Sequence, residues 1–273
     1  MKKNIISPLC FIGGGQMAEA LIKGILKKGI LTEKDIFCSE PLDERRQYLE
    51  KQYSIKTFSD NCEAIKDANA ILLAVKPQVI DAVLKELSAA ISKKHLIISI
   101  AAGVSLKKLE KLLGEKRRII RVMPNTPALV LEGAAAISKG TFSSKEDLDA
   151  ALELFSWVGK AVEVPESLMD AVTGLSGSGP AYCFLFIEAL IQAGIREGLP
   201  RPTATLLAIQ TVLGSAKMCI ETKRHPAELI SMVTSPGGTT IHGLYELERS
   251  GVSGIVMDAV RSATKRSKEL GGD

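Results

Sequence analysis

The sequence lacks the paired cysteines and clustered histidines of a metal site. Its 273 residues include five cysteines and three histidines, and no CxxC spacing occurs. An odd number of scattered thiols, several of them in apolar runs, is typical of reduced, buried cysteines. We therefore predict no disulfide framework, no metal and a cytoplasmic location.

Long runs of one charge and long apolar runs are also missing. The formal net charge is +4, but basic and acidic residues are interspersed, which argues against a nucleic-acid surface and suits a small anionic ligand. Residues 1–10 lack the apolar core of a signal peptide. Since no apolar stretch approaches the roughly 20 residues of a membrane span, we predict no membrane partner.

Strands and helices alternate over residues 1–165. Continuous apolar runs, typical of strands buried on both faces of a parallel sheet, occur at 9–12, 70–75, 96–100 and 119–123. Further strands are predicted at 35–39, 134–137 and 161–164, and helices at 17–28, 41–52, 79–91 and 106–113. The pattern predicts an α/β fold in which residues 1–165 form an N-terminal domain built on a Rossmann-type, doubly wound, mostly parallel sheet.

Residues 166–273 contain no convincing strand. Their pattern is helical, and residues 182–195 are apolar almost all round, with Glu188 and Gln192 as the strongly polar exceptions. A helix without a solvent face is usually buried against other helices. We predict that 166–273 is an all-helical substrate-binding and dimerisation domain and that the chain is an obligate homo-oligomer.

A glycine-rich loop follows the first strand. Residues 13–18 fit G-x-G-x-x-A in the strand-to-helix context that the dinucleotide motif requires. Glycines allow the tight turn and a close approach of the backbone to the pyrophosphate, while the helix N-terminus offers N–H groups. The predicted cofactor, NADP(H) or NAD(H), is therefore bound by Gly13, Gly14, Gly15, Gln16 and Met17.

The end of the second strand bears on the choice between these cofactors. Ser39 and Glu40 lie where the adenosine ribose is bound, and an acidic residue there favours NAD. Arg45 and Arg46 follow, and they either meet a 2′-phosphate or lie on a solvated helix face. Residues 39–46 therefore do not decide between NAD and NADP.

Three more segments follow predicted strands, at 74–78, 101–103 and 122–127. Ligands of such sheets lie beyond the carboxyl ends of the strands. Small residues at 101–103 allow a flat ring to approach, and Asn125, between two prolines, is a rigidly placed polar group that we predict to contact the cofactor. We predict that these segments form the catalytic face, with ordinary proline-containing loops as the alternative.

Residues 234–240 combine hydroxyl groups and glycines ahead of a helical stretch. Such a segment can present several N–H and O–H donors to a carboxylate; an ordinary N-cap is the alternative. Residues 175–182 form a second glycine- and serine-rich segment, predicted to be a loop that leads into the apolar helix.

With these segments the sequence resembles the pyrroline-5-carboxylate reductase family over about residues 8–270. The most specific matches lie at 74–78, 123–127, 175–182 and 228–246. The resemblance implies NAD(P)H-dependent reduction of 1-pyrroline-5-carboxylate to L-proline, the last step of proline biosynthesis. It also implies a homodimer through the helical domain, often in a ring of five dimers that makes a decamer.

The resemblance assigns further site residues by position. It places cofactor contacts, besides the glycine loop, at Asn61, Ala74, Val75, Lys76, Pro77, Ala101 and Ala102. It places the substrate at Glu166, Ser235, Gly238, Thr239 and Thr240. Two positions depart from the family: Met232 replaces an Asn that in some relatives reaches the cofactor from the partner subunit, and Glu40 lies where a small hydroxyl residue suited to NADPH can occur.

The implied reaction needs little acid–base machinery, and no Ser-His-Asp set is apparent. The cofactor supplies the hydride. We expect N–H groups around Gly238 and Thr239 to bind the carboxylate, and the Thr240 hydroxyl, the predicted catalytic group, to orient or protonate the ring nitrogen. His95 and His225 are expected in surface positions or loops, whereas His242, nearer the site, is a weaker candidate for a proton shuttle.

Two other functions fit part of the pattern. β-Hydroxyacid dehydrogenases carry G-x-x-G-x-G-x-x-x-K; Gly174, Gly177 and Gly179 match it, but Cys183 occupies the position of the catalytic lysine. That mismatch favours imine over alcohol chemistry. A cofactor-sensing protein without turnover would leave the hydroxyl-rich segment 235–240 without a purpose.

Overall fold

The computed structural model describes residues 3–114 and 116–272, which form two compact units. The first unit comprises Met1–Ser178 and Ser262–Asp273, and the second comprises Gly179–Arg261. A domain boundary at residue 165 stays a prediction; in this division residue 165 lies inside the first unit.

A single sheet of eight strands organises the described part of the first unit. The strands are β1 (Leu9–Ile12), β2 (Ile36–Ser39), β3 (Lys56–Phe58), β4 (Ala70–Leu73), β5 (Leu96–Ser99), β6 (Arg118–Met123), β7 (Gly133–Lys139) and β8 (Gly159–Glu163). Their order is β3-β2-β1-β4-β5-β6-β7-β8. Within this sheet only the β6–β7 pair is antiparallel, so the predicted doubly wound, mostly parallel sheet is confirmed.

The helices of the first unit pack around this sheet. They are α1 (Lys3–Ile6), α2 (Gln16–Lys28), α3 (Asp43–Tyr53), α4 (Asn61–Ala64), α5 (Ile80–Leu87), α6 (Leu106–Leu113), α7 (Lys145–Ser156) and α8 (Met169–Val172). The remaining helices are α9 (Gly179–Arg196), α10 (Arg201–Thr222), α11 (Pro226–Met232), α12 (Thr239–Arg249) and α13 (Val252–Gly271). By sequence, α13 begins in the second unit and ends in the first.

Both faces of the central strands are buried, which explains their unbroken apolar runs. Along β1, Leu9 and Phe11 belong to one hydrophobic cluster, while Cys10 and Ile12 belong to another. Successive side chains of a strand point to opposite faces. Helices therefore cover the sheet on both sides, as a parallel sheet requires.

One prediction about local structure is wrong. Residues 175–182 are not a loop, because a wide π-type turn over Thr173–Gly177 leads directly into α9. His95 lies in the loop before β5, as predicted, but it is buried: only 2% of it is exposed, and its Nδ1 accepts a hydrogen bond from the Ser92 N–H. Burial lowers the pKa of His95.

The second unit leaves much apolar surface uncovered in a single chain. Its small core contains Ile191, Ala204 and Ala208, whereas Phe184 and Leu185 on α9 and Leu206 on α10 are 64–74% exposed. Exposed apolar surface of this extent marks an interaction site. The second unit thus has the exposed apolar helices that the sequence predicts to be buried in an oligomer interface.

Two described helical segments have the length and composition of a membrane span. They are Glu166–Arg196 and Arg201–Thr222. The prediction that no apolar stretch approaches the length of a membrane span is therefore wrong. A helical oligomer interface produces the same composition, because its helices are also apolar over most of their surface.

Candidate functional site

The glycine loop is held tightly between β2 and β4. Gly13 has a φ of +96°, and its N–H donates to the Ser39 carbonyl at 2.8 Å. A Cβ at Gly13 would lie 2.9 Å from the Ala74 carbonyl oxygen. Both the backbone conformation and the available space therefore require glycine at this turn.

The next two glycines differ in the space around them. A Cβ at Gly14 would lie 2.8 Å from Leu49 Cδ1, whereas a Cβ at Gly15 would meet nothing within 4 Å. Gly15 is the N-cap of α2 and has no side chain to cap the first N–H groups, which have no acceptor within the helix. An open helix N-terminus of this kind fits the pyrophosphate of a dinucleotide. Gln16 is exposed there, and Met17 is half-buried.

The end of β2 presents a fixed carboxylate to the glycine loop. Glu40 is 9% exposed; its Oε2 accepts from the Gly14 N–H at 2.9 Å, and its Oε1 accepts from the Leu42 N–H at 3.1 Å. The neighbouring Ser39 Oγ is buried and has no hydrogen-bond partner among the described residues. These groups lie where a Rossmann sheet binds the adenosine ribose.

Arg45 reaches the same loop from α3. Its Nε donates to the Gly14 carbonyl at 2.6 Å, and its Nη2 pairs with Glu19 Oε2 at 2.5 Å. The other oxygen of Glu19 accepts from the hydroxyls of Tyr48 and Tyr53, each at 2.8 Å. Burial alone would raise the pKa of Glu19, but these hydrogen bonds hold that pKa below its ordinary value.

Arg46 is also bonded to protein groups. Its Nη1 donates to the carbonyls of Glu40 and Pro41 at 2.7 and 2.8 Å. Its Nη2 pairs with Asp43 Oδ1 at 2.9 Å. The sequence did not decide whether Arg45 and Arg46 meet a phosphate or solvent. In the structure both are hydrogen-bonded to protein groups in or near the glycine loop.

The turns after β4 and β5 border a cavity of about 450 Å³. Ala101 is buried, and Ala102 is exposed and lines the cavity together with Pro77 and Gln78. Near the C-terminus, Ser267 and Leu270 of α13 line the same cavity. Ala74 and Val75 are half-buried and Lys76 is exposed at this edge.

Two predicted cofactor residues use their side-chain amides within the protein. Asn125 Oδ1 accepts from the Ala134 N–H at 2.8 Å, and its Nδ2 donates to the Ser176 carbonyl at 3.1 Å. Asn61 Nδ2 donates to Glu86 Oε2 at 3.0 Å. Their contacts with a cofactor stay predictions.

Glu166, a predicted substrate residue, has two partners in the first unit. Its Oε1 accepts from the Leu106 N–H at the start of α6 and from Arg121 Nη1 at 2.9 Å. Arg121 is almost buried, and its charge requires this partner. Arg121 was not predicted as a site residue, although a charged residue within the apolar run 119–123 is the signal of a buried ion pair.

The second unit brings the hydroxyl-rich segment into one turn. Gly238 is the N-cap of α12, and its N–H donates to the Ser235 carbonyl at 3.1 Å. Thr239 and Thr240 are the first residues of the helix, so their N–H groups have no acceptor within it. Thr239 is exposed, and Thr240 is half-buried. This arrangement can donate several hydrogen bonds to one carboxylate.

The structure places the remaining candidates on the surface of a single chain. His225 caps α11, and its Nδ1 accepts from the Ala227 N–H at 3.2 Å; His242 is exposed on α12. Met232 is 57% exposed. Among the described residues no group of three His, Cys, Asp or Glu side chains is placed to hold a metal ion.

Comparison with known proteins gives two family matches. The family described as "Pyrroline-5-carboxylate reductase dimerisation" matches residues 166–270. The family described as "NADP oxidoreductase coenzyme F420-dependent" matches residues 8–103. The two matches fall on the helical part and on the glycine-loop part of the chain.

Curated relatives and solved structures match nearly the whole chain. Pyrroline-5-carboxylate reductase of Methanosarcina acetivorans is 50% identical over 96% of this chain and 97% of its own. The Arabidopsis thaliana protein of the same name is 45% identical over 95% and 94%. The structure of the Coxiella burnetii pyrroline-5-carboxylate reductase covers 97% of this chain and 98% of its own at 36% identity, with a TM-score of 0.92. That of the Plasmodium falciparum pyrroline carboxylate reductase, with NADP bound, covers 96% and 97% at 35% identity, with a TM-score of 0.86.

Proposed function

The chain belongs to the pyrroline-5-carboxylate reductase family, and we propose that it reduces 1-pyrroline-5-carboxylate to L-proline with hydride from NAD(P)H. One observation carries this proposal: a sheet edge that fits a dinucleotide and a helix start that fits a carboxylate occur in the same chain. An anionic cyclic imine and a hydride donor need these two recognition elements.

The residues at the sheet edge fit a dinucleotide. The Gly13 turn leaves no room for a Cβ, the Ser39 hydroxyl has no partner among the described residues, and α2 begins without a side-chain cap. When bound, the nicotinamide supplies the hydride. We assign the pyrophosphate to residues 13–17, the ribose to Ser39 and Glu40, and the nicotinamide end to 74–77, Ala101, Ala102 and Asn125, with Asn61 as a further contact.

The reaction needs one hydride and no metal ion or covalent intermediate. Hydride adds to the imine carbon, and the π electrons of the C=N bond move to the nitrogen. That nitrogen keeps the proton that the iminium already carries, so a secondary amine results. The amine then takes a proton from water to give the zwitterionic amino acid. The enzyme has to hold the two reactants in an attack geometry.

We assign recognition of the substrate to the start of α12. N–H groups around Gly238 and Thr239 bind the carboxylate. The Gly238 N–H already donates to the Ser235 carbonyl, so the donors are the N–H groups of Thr239 and Thr240 at the start of the helix. Ser235 and Glu166 contribute to the substrate site. The Thr240 hydroxyl accepts from the iminium N–H and orients the ring. An alcohol is a weak acid, so orientation is its main role, and this assignment makes Thr240 the catalytic residue.

The chain forms a dimer through its family's dimerisation region, residues 166–270. We propose that the exposed apolar side chains of α9 and α10 form the dimer core, that five dimers assemble into a decamer, and that the enzyme acts in the cytoplasm without a membrane partner. Burial of a large apolar side chain contributes about 1.5–3 kcal/mol, so the exposed residues of these helices provide ample driving force.

An assay with the purified chain tests the proposed function. The protein is mixed with 1-pyrroline-5-carboxylate and either NADPH or NADH, and the nicotinamide absorbance is followed together with the proline formed. We expect one proline for each cofactor oxidised. Binding of dinucleotide without substrate-dependent oxidation would indicate a sensor instead, and oxidation of a β-hydroxy acid with NAD(P)⁺ would indicate the dehydrogenase.

A further inference from the structure

We propose that this chain selects NADH over NADPH, and that Glu19 is a positioning residue for the selection because it holds Arg45 away from the ribose. The inference rests on the proposed function only in requiring a nicotinamide dinucleotide at the glycine loop. It concerns residues that distinguish a ribose hydroxyl from a phosphate.

Glu40 provides the first part of the selection. Two backbone N–H groups, of Gly14 and Leu42, fix its carboxylate, and each oxygen retains a lone pair for another donor. A ribose hydroxyl can donate to such an oxygen. A 2′-phosphate has only acceptor oxygens and carries negative charge, so the same carboxylate repels it.

Arg45 would normally compensate such a repulsion, but its guanidinium is already bonded. It donates to the Gly14 carbonyl, pairs with Glu19, and lies 4.8 Å from the centre of the Tyr48 ring. Arg45 and Glu19 are 23% and 15% exposed. To reach a 2′-phosphate, Arg45 must leave a partly buried carboxylate behind, which is unfavourable.

Two tyrosines stabilise Glu19 in this arrangement. The hydroxyls of Tyr48 and Tyr53 both donate to its Oε1, which leaves Oε2 for Arg45. Glu19 lies on α2 and the two tyrosines lie on α3. The cluster therefore fixes Arg45 from two helices, and Arg45 does not depend on a bound phosphate for its position.

Arg46 does not take the place of Arg45 as a partner for a 2′-phosphate. It is bonded to the Glu40 and Pro41 carbonyls and to Asp43. Glu19 and Asp43 thus pair with the two guanidinium groups, whereas the Glu40 carboxylate has no ion-pair partner among the described contacts. A carboxylate without a neutralising partner is unfavourable for a phosphate.

The preference belongs to this chain and does not follow from the shared fold. The Plasmodium falciparum structure, with a TM-score of 0.86, has NADP bound, so the fold admits a 2′-phosphate. The carboxylate of Glu40 and the Glu19–Arg45 pair are the features of this chain that oppose it.

Direct binding of the two cofactors tests the inference. Calorimetric titration of the full-length protein with NADH and with NADPH, without substrate, gives the ratio of the two Kd values. We expect NADH to bind roughly tenfold more tightly, which corresponds to about 1.4 kcal/mol. Glu40→Gln removes the charge and keeps an acceptor oxygen for one of the two N–H groups, so it should bring the ratio close to one.

Glu19→Gln tests the positioning role. The amide keeps an acceptor for the tyrosines but loses the ion pair, so Arg45 is released and the Kd for NADPH should fall by about threefold. The Kd for NADH should change by less than about twofold. Glu50→Gln is the matched control, because Glu50 lies on α3 and accepts from the Thr57 hydroxyl without contacting the loop.

The outcomes separate the two proposals. Equal or tighter binding of NADPH by the unmodified chain overturns the NADH selection. An unchanged Kd ratio in Glu19→Gln overturns the role of Glu19, since a purely structural defect would weaken both cofactors alike. Failure of both cofactors to bind would contradict the proposed reductase function itself.

Discussion

Ser267 donates a hydrogen bond of 2.6 Å to the carboxylate of Asp170, a residue 97 positions earlier in the chain. Ser267 is 5% exposed, so its hydroxyl is shielded from water. The bond fastens the end of α13 to α8, within the first unit. The same serine lines the cavity that Pro77 and Ala102 border.

Replacement of Ser267 should therefore loosen the end of α13. We expect Ser267→Ala to destabilise the protein by about 1–3 kcal/mol, because the Asp170 carboxylate loses a buried donor. Differential scanning calorimetry measures this as a lower Tm. Ser262→Ala is the control: Ser262 is exposed on the same helix, and an equal loss there would show that the bond to Asp170 is unimportant.

Thr240→Ala should lower kcat/KM at least roughly tenfold, or about 1.4 kcal/mol. The substitution removes the hydroxyl that is proposed to orient the ring nitrogen. Thr240→Ser keeps the hydroxyl and should retain most of the activity. Steady-state kinetics with 1-pyrroline-5-carboxylate as the varied substrate distinguish the variants, and normal kinetics in Thr240→Ala would remove Thr240 from the mechanism.

Alanine at Gly13 and at Gly15 should have different effects. At Gly13 the new Cβ meets the Ala74 carbonyl at 2.9 Å, and the φ of +96° disfavours any side chain. We expect a loss of stability of about 1–3 kcal/mol and, with the turn displaced, weakened binding of dinucleotide.

At Gly15 the added methyl group meets nothing within 4 Å. Gly15→Ala should therefore keep the Tm but weaken dinucleotide binding, because the methyl group obstructs the approach of the pyrophosphate. Thermal unfolding and titration with NADH, performed on both variants, measure the two effects separately. Undiminished affinity in Gly15→Ala would place the pyrophosphate elsewhere.

Asp147 should make stability depend on pH in the acid range. Burial raises the pKa of its carboxyl group, but Arg118 and the N–H and hydroxyl groups of Ser144 outweigh burial and hold that pKa below its ordinary value of 3.8. A carboxyl group whose pKa is lowered by folding stabilises the protein above the unfolded pKa, and this contribution is lost as the pH falls through the folded pKa.

Asp147→Asn should accordingly cost about 2 kcal/mol at pH 7. The difference from the unmodified protein should shrink as the pH falls below 3.8. Urea unfolding at a series of pH values measures both stabilities. A difference that is independent of pH would mean that the charge of Asp147 has no role and that only its shape matters.

The central strands and the glycine loop could be predicted because each leaves a local pattern. A strand buried on both faces must be apolar throughout, as β4 and β5 are. The turn at Gly13 requires glycine because its φ is +96°. By contrast, β3 has only three residues, one of them charged, and it pairs along one side at the edge of the sheet, so its sequence carries no comparable signal.

Long-range contacts account for most of what the sequence did not predict. Glycines and serines at 175–182 indicate a loop locally, but the chain there continues as helix. The cofactor-selecting pair of Glu19 and Arg45 is separated by 26 positions, and nothing in either local segment specifies it. The roles of Thr240 and Glu166 at the substrate stay predictions, since both rest on the resemblance to the family.

The path of α13 has a consequence for how the protein is made. The first unit is built from residues at both ends of the chain, Met1–Ser178 and Ser262–Asp273, and the helical unit is inserted between them. During synthesis on the ribosome, most of the first unit therefore emerges early, but Asp170 lacks its partner until Ser267 has been released. A polypeptide that terminates before Ser262 would carry the glycine loop, yet its first unit would be left incomplete.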